Sequence, residues 1–402
     1  MMQKIHGSLL LGLVVVGVTG AASNRPAAAT RRSTIPHGAC RGPVPRTRGA
    51  AHRFAFPTGV AVDAAGTVYV ADQGAHTICT VSPAGKVGLL AGDAGYASYD
   101  SLDLNGPGPT VRFNSPTGVA VDAAGAVYVA DTGNRLIRRI SPAGVVSTLA
   151  GQWGQPGSAD GVGAAARFES PTGVAVDGAG TVYVADAGNS TIRRITPDGR
   201  VRTWAGQANQ PGFTDGPGTS ARFSAPVGLA VDAAGTVYVA DQGNHRIRRI
   251  SPAGFVTTLA GVATLAEIRG ADGMYGARGS SDGSAATARF NGPTGVAVDA
   301  RGTVYVGDSG NNTLRQINPA GDVRTVAGTP HTLGQRDGAG AAARFDNPMG
   351  VAVDVAGTVY VCDAGNHCIR TVSSTGSVRT LAGSRPGGNE PRGRLRRAHP
   401  QD

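Results

Sequence analysis

Apolar residues in this chain come in short bursts. Runs such as GVAVD, TVYVAD, TIRRI and VRTWA hold four or five apolar or alternating positions and are cut by Gly, Pro, Asn and Asp. Runs of that length predict strands, not helices. Over residues 167–205 the predicted strands are 173–176, 181–185, 191–195 and 201–205, with tight turns at 177–180 and 197–199. Side chains alternate along a strand, so Val182 and Val184 point one way while Tyr183 and Ala185 point the other. Both sides are apolar, and both faces of the sheet must therefore be covered. Ile192 and Ile195 also fall on opposite faces. The first strand, GVAV, has small side chains on both sides, which suits a place where strands converge.

The pattern repeats. Arg-Phe recurs at Arg53, Arg112, Arg167, Arg222, Arg289 and Arg344, at spacings of 59, 55, 55, 67 and 55 residues. The Asp that closes VYVAD keeps the same register, at Asp72, Asp131, Asp186, Asp241, Asp308 and Asp363. A unit repeated six times is architecture first. Four-stranded antiparallel sheets that cover one another's faces and taper inward make an all-β, six-bladed β-propeller, here over residues 53–383.

The turn after that Asp carries a more specific signal. The runs DQGNHRI (241–247) and DAGNHCI (363–369) resemble the NHL repeat, and all six units match its outline. The repeat's His is present as His76, His245 and His367, while Arg135, Ser190 and Asn312 fill the same place elsewhere. An obligate ligand would not be so interchangeable. The resemblance implies a propeller, with a binding platform as the usual role and a minority of enzymes. Peptide-amidating lyases of similar fold hold zinc through His residues just after an inner-strand Pro. Here that column reads Thr58, Thr117, Thr172, Val227, Thr294 and Met349, so the mechanism does not carry over. Streptogramin-type lyases and lactonases need His or Glu near the channel mouth, and 53–383 contains only Glu169 and Glu267. The expectation is a non-catalytic binding or scaffold module for a protein, peptide or glycan. The alternative is a metal-dependent lyase or lactonase-like enzyme at the channel mouth. No cofactor is expected; calcium and zinc are the ones such an enzyme would use.

Charge changes the picture less than its total suggests. The chain of 402 residues carries a formal +10. Residues 1–52 hold seven Lys or Arg and no acid, and residues 384–402 hold five Arg against Glu390 and Asp402, so 53–383 is neutral. A nucleic-acid reader needs a basic face on its folded part, and no nucleic-acid partner is expected. Lys4, the apolar run 9–18 and the small residues 19–23 read as a secretory signal over 1–23, too short to span a membrane. Segments 24–52 and 384–402 read as disordered basic tails. The expected product is a secreted or periplasmic monomer without a membrane span.

Candidate site residues follow from the repeat and its breaks. The six strand-closing Asp residues are read as turn acceptors of backbone N–H groups, not as metal ligands. The Arg of each Arg-Phe is expected to pair with such an Asp between blades, and Arg193 and Arg194 to lay their stems on apolar surface with heads in water. DGxG, as at Asp160, Asp215 and Asp337, is read as a turn feeding the next unit. Turns between the second and third strands share a face with the blade connections, so that face is the expected ligand face. It collects His76, His245 and His367, with Tyr96, Trp153, Met274 and Tyr275 in the irregular connections. Trp204 shares a column with Leu90, Leu149, Leu259, Val326 and Leu381 and is assigned to the core. Of the four cysteines, Cys362 and Cys368 flank one hairpin and are expected to bridge, with Cys40 and Cys79 a weaker second pair.

Overall fold

The computed structural model of the chain describes residues 53–98, 104–262 and 278–383. They form six antiparallel sheets, one for each repeat. The assigned signal segment, both tails, Met274, Tyr275 and Cys40 lie outside the described residues. The third blade shows the plan: Pro171–Val176, Val182–Asp186, Thr191–Ile195 and Arg200–Ala205, in that order from the inner edge outward. Val182 and Val184 pack in the core between blades two and three, and Tyr183 and Ala185 in the core between blades three and four. Ile195 joins the first of these and Ile192 the second. Each sheet is thus buried on both faces, as its two-sided apolar pattern requires.

The blades are wider than four strands in four cases. Gly161–Val162 adds a short fifth strand outside Arg200–Ala205, and the second, fourth and sixth blades do the same. The fifth blade keeps only a single bridge, Gly283 to Val323. The Asp-Gly segment therefore belongs to the blade that follows it and seals that blade's outer edge, which is more than a turn.

Two local devices hold each blade. At the first hairpin of blade three, Asp177 Oδ1 accepts the N–H groups of Ala179 (3.0 Å) and Thr181 (2.9 Å), and Oδ2 accepts the Tyr183 hydroxyl (3.2 Å). The same Asp–Tyr bond recurs in every blade. At the inner edge, a methyl group at Gly173 would overlap the carbonyl oxygen of Val227 in the next blade. Gly59, Gly118, Gly228, Gly295 and Gly350 meet the next inner strand in the same way. The glycine of GVAV is required by this close approach of backbones.

The ring closes by packing. Phe54, Val60, Val70 and Cys79 of blade one share a core with Tyr360, Cys362 and Ile369 of blade six. Trp204 is only partly buried: it lies on the rim of the core between blades three and four, its ring centre 5.1 Å from that of Tyr183.

Candidate functional site

Two places gather polar chemistry: the seams between blades and the mouth of the central channel. At the seams, five arginines are fully buried: Arg138, Arg193, Arg248, Arg315 and Arg370. Arg193 NH1 donates to Asp186 Oδ2 (3.3 Å) and the Arg167 carbonyl (2.9 Å). Its NH2 donates to Asp160 Oδ1 (2.8 Å) and the Ala159 carbonyl (3.0 Å). The guanidinium centre stands 5.2 Å from the ring centre of Phe168, a cation–π contact. The expectation that both Arg heads reach water holds for Arg194 and fails for Arg193, because two acids and a ring compensate its burial.

The expected role of the Arg-Phe arginines is corrected too. Arg167 donates to the carbonyls of Ala164 (2.6 Å) and Ala166 (2.8 Å) and to the side chain of Gln152, not to a strand-closing Asp. Asp186 takes its cation from Arg193 in its own blade, plus N–H groups of Glu169 (3.1 Å) and Ser170 (3.0 Å) and the Asn189 amide (2.6 Å). Burial pushes the carboxyls of Asp308 and Asp363 up to about 6, while N–H donors, Asn311 and Asn366, and Arg315 and Arg370 pull them back down. These groups are held as structural acceptors, with every oxygen facing a donor. In blade two Asn105 replaces the second acid, and Arg138 NH2 is left buried without a partner among the described residues.

The histidines sit at a strained turn position. His76, His245 and His367 have φ of 58°, 53° and 57°, as do Arg135, Ser190 and Asn312 at 59°, 57° and 57°. His76 Nδ1 accepts the Ser115 N–H (2.9 Å) from the next blade, and His245 Nδ1 accepts that of Gly292 (2.9 Å). Asn312 Oδ1 makes the same bond to Asn347 N–H (2.9 Å). The interchangeability of His and Asn is thereby explained: either can present an acceptor across the seam. Burial lowers the pKa of His76.

The other candidates are not brought together. Tyr96 is exposed, with the Arg112 guanidinium 5.6 Å over its ring and Arg112 3.4 Å from Asp93. Trp153 is half-buried in the next connection. Among the described residues no three His, Cys, Asp or Glu side chains are grouped to hold a metal ion. The bridge expected between Cys362 and Cys368 is absent: both thiols are free and buried. Cys362 stands opposite Ile369 and Cys368 opposite Asp363, so the two lie on opposite faces of the sheet and cannot meet within the hairpin. Cys79 is buried as well.

The channel is a cavity of ≈ 220 Å³. Its wall carries no ionisable side chain. Thr117 donates to the Thr172 carbonyl (2.8 Å) and Thr58 to that of Thr117 (3.1 Å), so threonine hydroxyls hook one blade to the next around the wall. Gln73 and Gln242, from blades one and four, stand at its mouth.

Against known proteins, the NHL repeat model matches residues 54–80, 113–140, 168–195, 223–250, 290–317 and 345–371, one match in each blade. The chain is an NHL-repeat protein. It is 29% identical to NHL repeat-containing protein 2 of Bos taurus over 349 residues, covering 79% of this chain and 46% of that one. The chain thus spans under half the length of that relative. An auxiliary nutrient binding protein from Bacteroides thetaiotaomicron has the same fold, with a TM-score of 0.57 at 15% identity over 82% of this chain and 70% of that one. So does virginiamycin B lyase from Staphylococcus aureus, with a TM-score of 0.50 at 15% identity over 82% and 87%. Among the described residues no helix is long and apolar enough to cross a membrane.

Proposed function

We propose that this NHL-repeat protein is a non-catalytic binding module that takes a protein, peptide or glycan ligand on its loop face. The observation that carries this reading is the chemistry of the channel wall. Acid–base catalysis needs a titratable group within hydrogen-bond reach of the substrate. The wall offers threonine, glycine, glutamine and apolar side chains, while the buried Asp and Arg groups are paired with each other and His76 and His245 accept N–H groups across the seams. The fold itself serves both roles, since one neighbour is a nutrient-binding protein and another a lyase. Chemistry at the mouth therefore decides between them.

The test is to screen the full chain against peptide and glycan arrays and follow each bound ligand by mass spectrometry. Unchanged ligand is expected, with binding weakened at least about fivefold by Tyr96→Ala or Trp153→Ala. Turnover of any bound ligand would establish the enzyme instead. We further propose export as a monomer, supported by Lys4 and the apolar run that follows it. Expressed in a secreting host, the protein should then be recovered outside the cytoplasm with a new N-terminus between Ala21 and Ser23.

A further inference from the structure

The residue that follows the buried Asp of each blade varies in an ordered way. Around the ring it reads Gln73, Thr132, Ala187, Gln242, Ser309 and Ala364. Opposite blades therefore match: glutamine in one and four, a hydroxyl in two and five, alanine in three and six. The hydroxyls are engaged with the protein. Thr132 donates to the Pro171 carbonyl (2.7 Å) and Ser309 to that of Pro348 (2.6 Å). The two glutamines line the cavity itself, and neither carboxamide bonds to another described residue. Several other glutamine side chains are tied down, such as Gln152 to Arg167 and Gln207 to Arg222. Below the mouth the wall is aliphatic, with Val60, Val119, Val174, Leu229, Val296 and Val351 contributed by the six inner strands.

We propose that Gln73 and Gln242 clamp a small uncharged amide whose aliphatic end enters the channel. This rests on the reading of the loop face as a binding surface and names the ligand class for its centre. Each carboxamide presents a donor and an acceptor in one plane, and the group that answers both is another amide. A charged ligand is disfavoured, because the wall has no counter-charge to offset desolvation. A sugar is disfavoured as well. Its hydroxyls need partners all round the ring, and the wall threonines already donate to neighbouring carbonyls. The cavity of ≈ 220 Å³ lies below the roughly 300–1,000 Å³ of pockets for drug-sized ligands, so the ligand is about one residue in size.

The probe is N-acetyl-leucinamide, titrated into the full chain and read by saturation-transfer NMR, with leucine and glucose as comparators. Transfer to the isobutyl protons is expected for the capped amide, and none for zwitterionic leucine or glucose. The double variant Gln73→Ala/Gln242→Ala should weaken binding by at least about tenfold, with each single variant between. Alanine already occupies this position at Ala187 and Ala364, so the fold tolerates it, and an unchanged melting curve verifies that. Gln73→Met/Gln242→Met, which keeps side-chain length, should lose binding equally. Three results overturn the proposal: no transfer to the capped amide at its solubility limit, equal binding of leucine or glucose, or equal binding by the double variants. If an array ligand still binds the loop face while any of these holds, the clamp has failed and the broader reading has not.

Discussion

At the scale of single residues, the molecule depends on charges it has removed from water. A buried guanidinium is tolerable only with its partners in place. Arg193→Met leaves Asp186 buried without its cation and should cost about 3–5 kcal/mol in chemical denaturation. The opposite change tests the same logic. Asn105→Asp gives the orphaned Arg138 NH2 an acceptor like those in blades three to six, and should stabilise by about 1 kcal/mol. His76 is sensitive to pH for a related reason. Its Nδ1 can accept the Ser115 N–H only while the ring is neutral. Its folded pKa is lowered, so the stability it contributes is full above the unfolded value of about 6.5 and is lost as pH falls through the folded value. Asp308 and Asp363 act in the other sense. Their raised values favour the folded state below the unfolded value of about 3.9, and that contribution is lost as pH rises through about 6. These terms are common to wild type and His76→Asn, so the difference between the two isolates the latch. The asparagine variant copies Asn312. It should match wild type at pH 8 and exceed it by about 0.5–1.5 kcal/mol at pH 5. Equal stability at both pH values would show that the bond contributes nothing.

At the scale of elements, the strands were legible because their pattern has no other solution. Two apolar faces, a length of five and a period near 55 leave little besides stacked blades. The outer fifth strand was not legible. Gly161–Val162 has no apolar pattern and pairs through backbone alone. Arg193 was read as a surface residue because Arg193 and Arg194 are the same residue type. Only the strand's alternation separates them, and the seam's acid comes from Asp160, 33 positions away. A signal did exist: blades three to six carry both this Arg and the Asp-Gly acid, while blade one has Cys79 in place of the Arg. The glycines divide in the same physical way. Gly173→Ala drives a methyl into the Val227 carbonyl and should cost about 1–3 kcal/mol, with the melting temperature falling accordingly. Gly178→Ala lies in the same blade at a turn with nothing within 4 Å and should be neutral or stabilising by up to about 1 kcal/mol. If both variants melt together, close approach of the inner strands does not explain the repeat's glycine.

At the scale of the whole molecule, the chain runs on from blade to blade at five seams, and among the described residues it does not do so at the sixth. Blades one and six meet through a shared apolar core. That seam also has fewer hooks. Met349 has no hydroxyl to donate to blade one, His367 Nδ1 has no partner, and the Phe56 N–H goes to Asp72 in its own blade (2.7 Å). Opening it strains no connection, so it should open first as stability is lowered. Nature has placed the reporters. Cys79 and Cys362 are both buried in this seam, and burial raises both thiols, Cys79 to about 12, so neither reacts while the ring is closed. The control is Ala185→Cys, which puts a thiol in the column of Cys362 at the seam between blades three and four. Alkylation in rising urea, mapped peptide by peptide, should reach Cys79 and Cys362 below the global transition and the engineered position only with it. Simultaneous labelling at both seams would mean that the ring opens as one unit and that packing closes it as firmly as the chain does elsewhere.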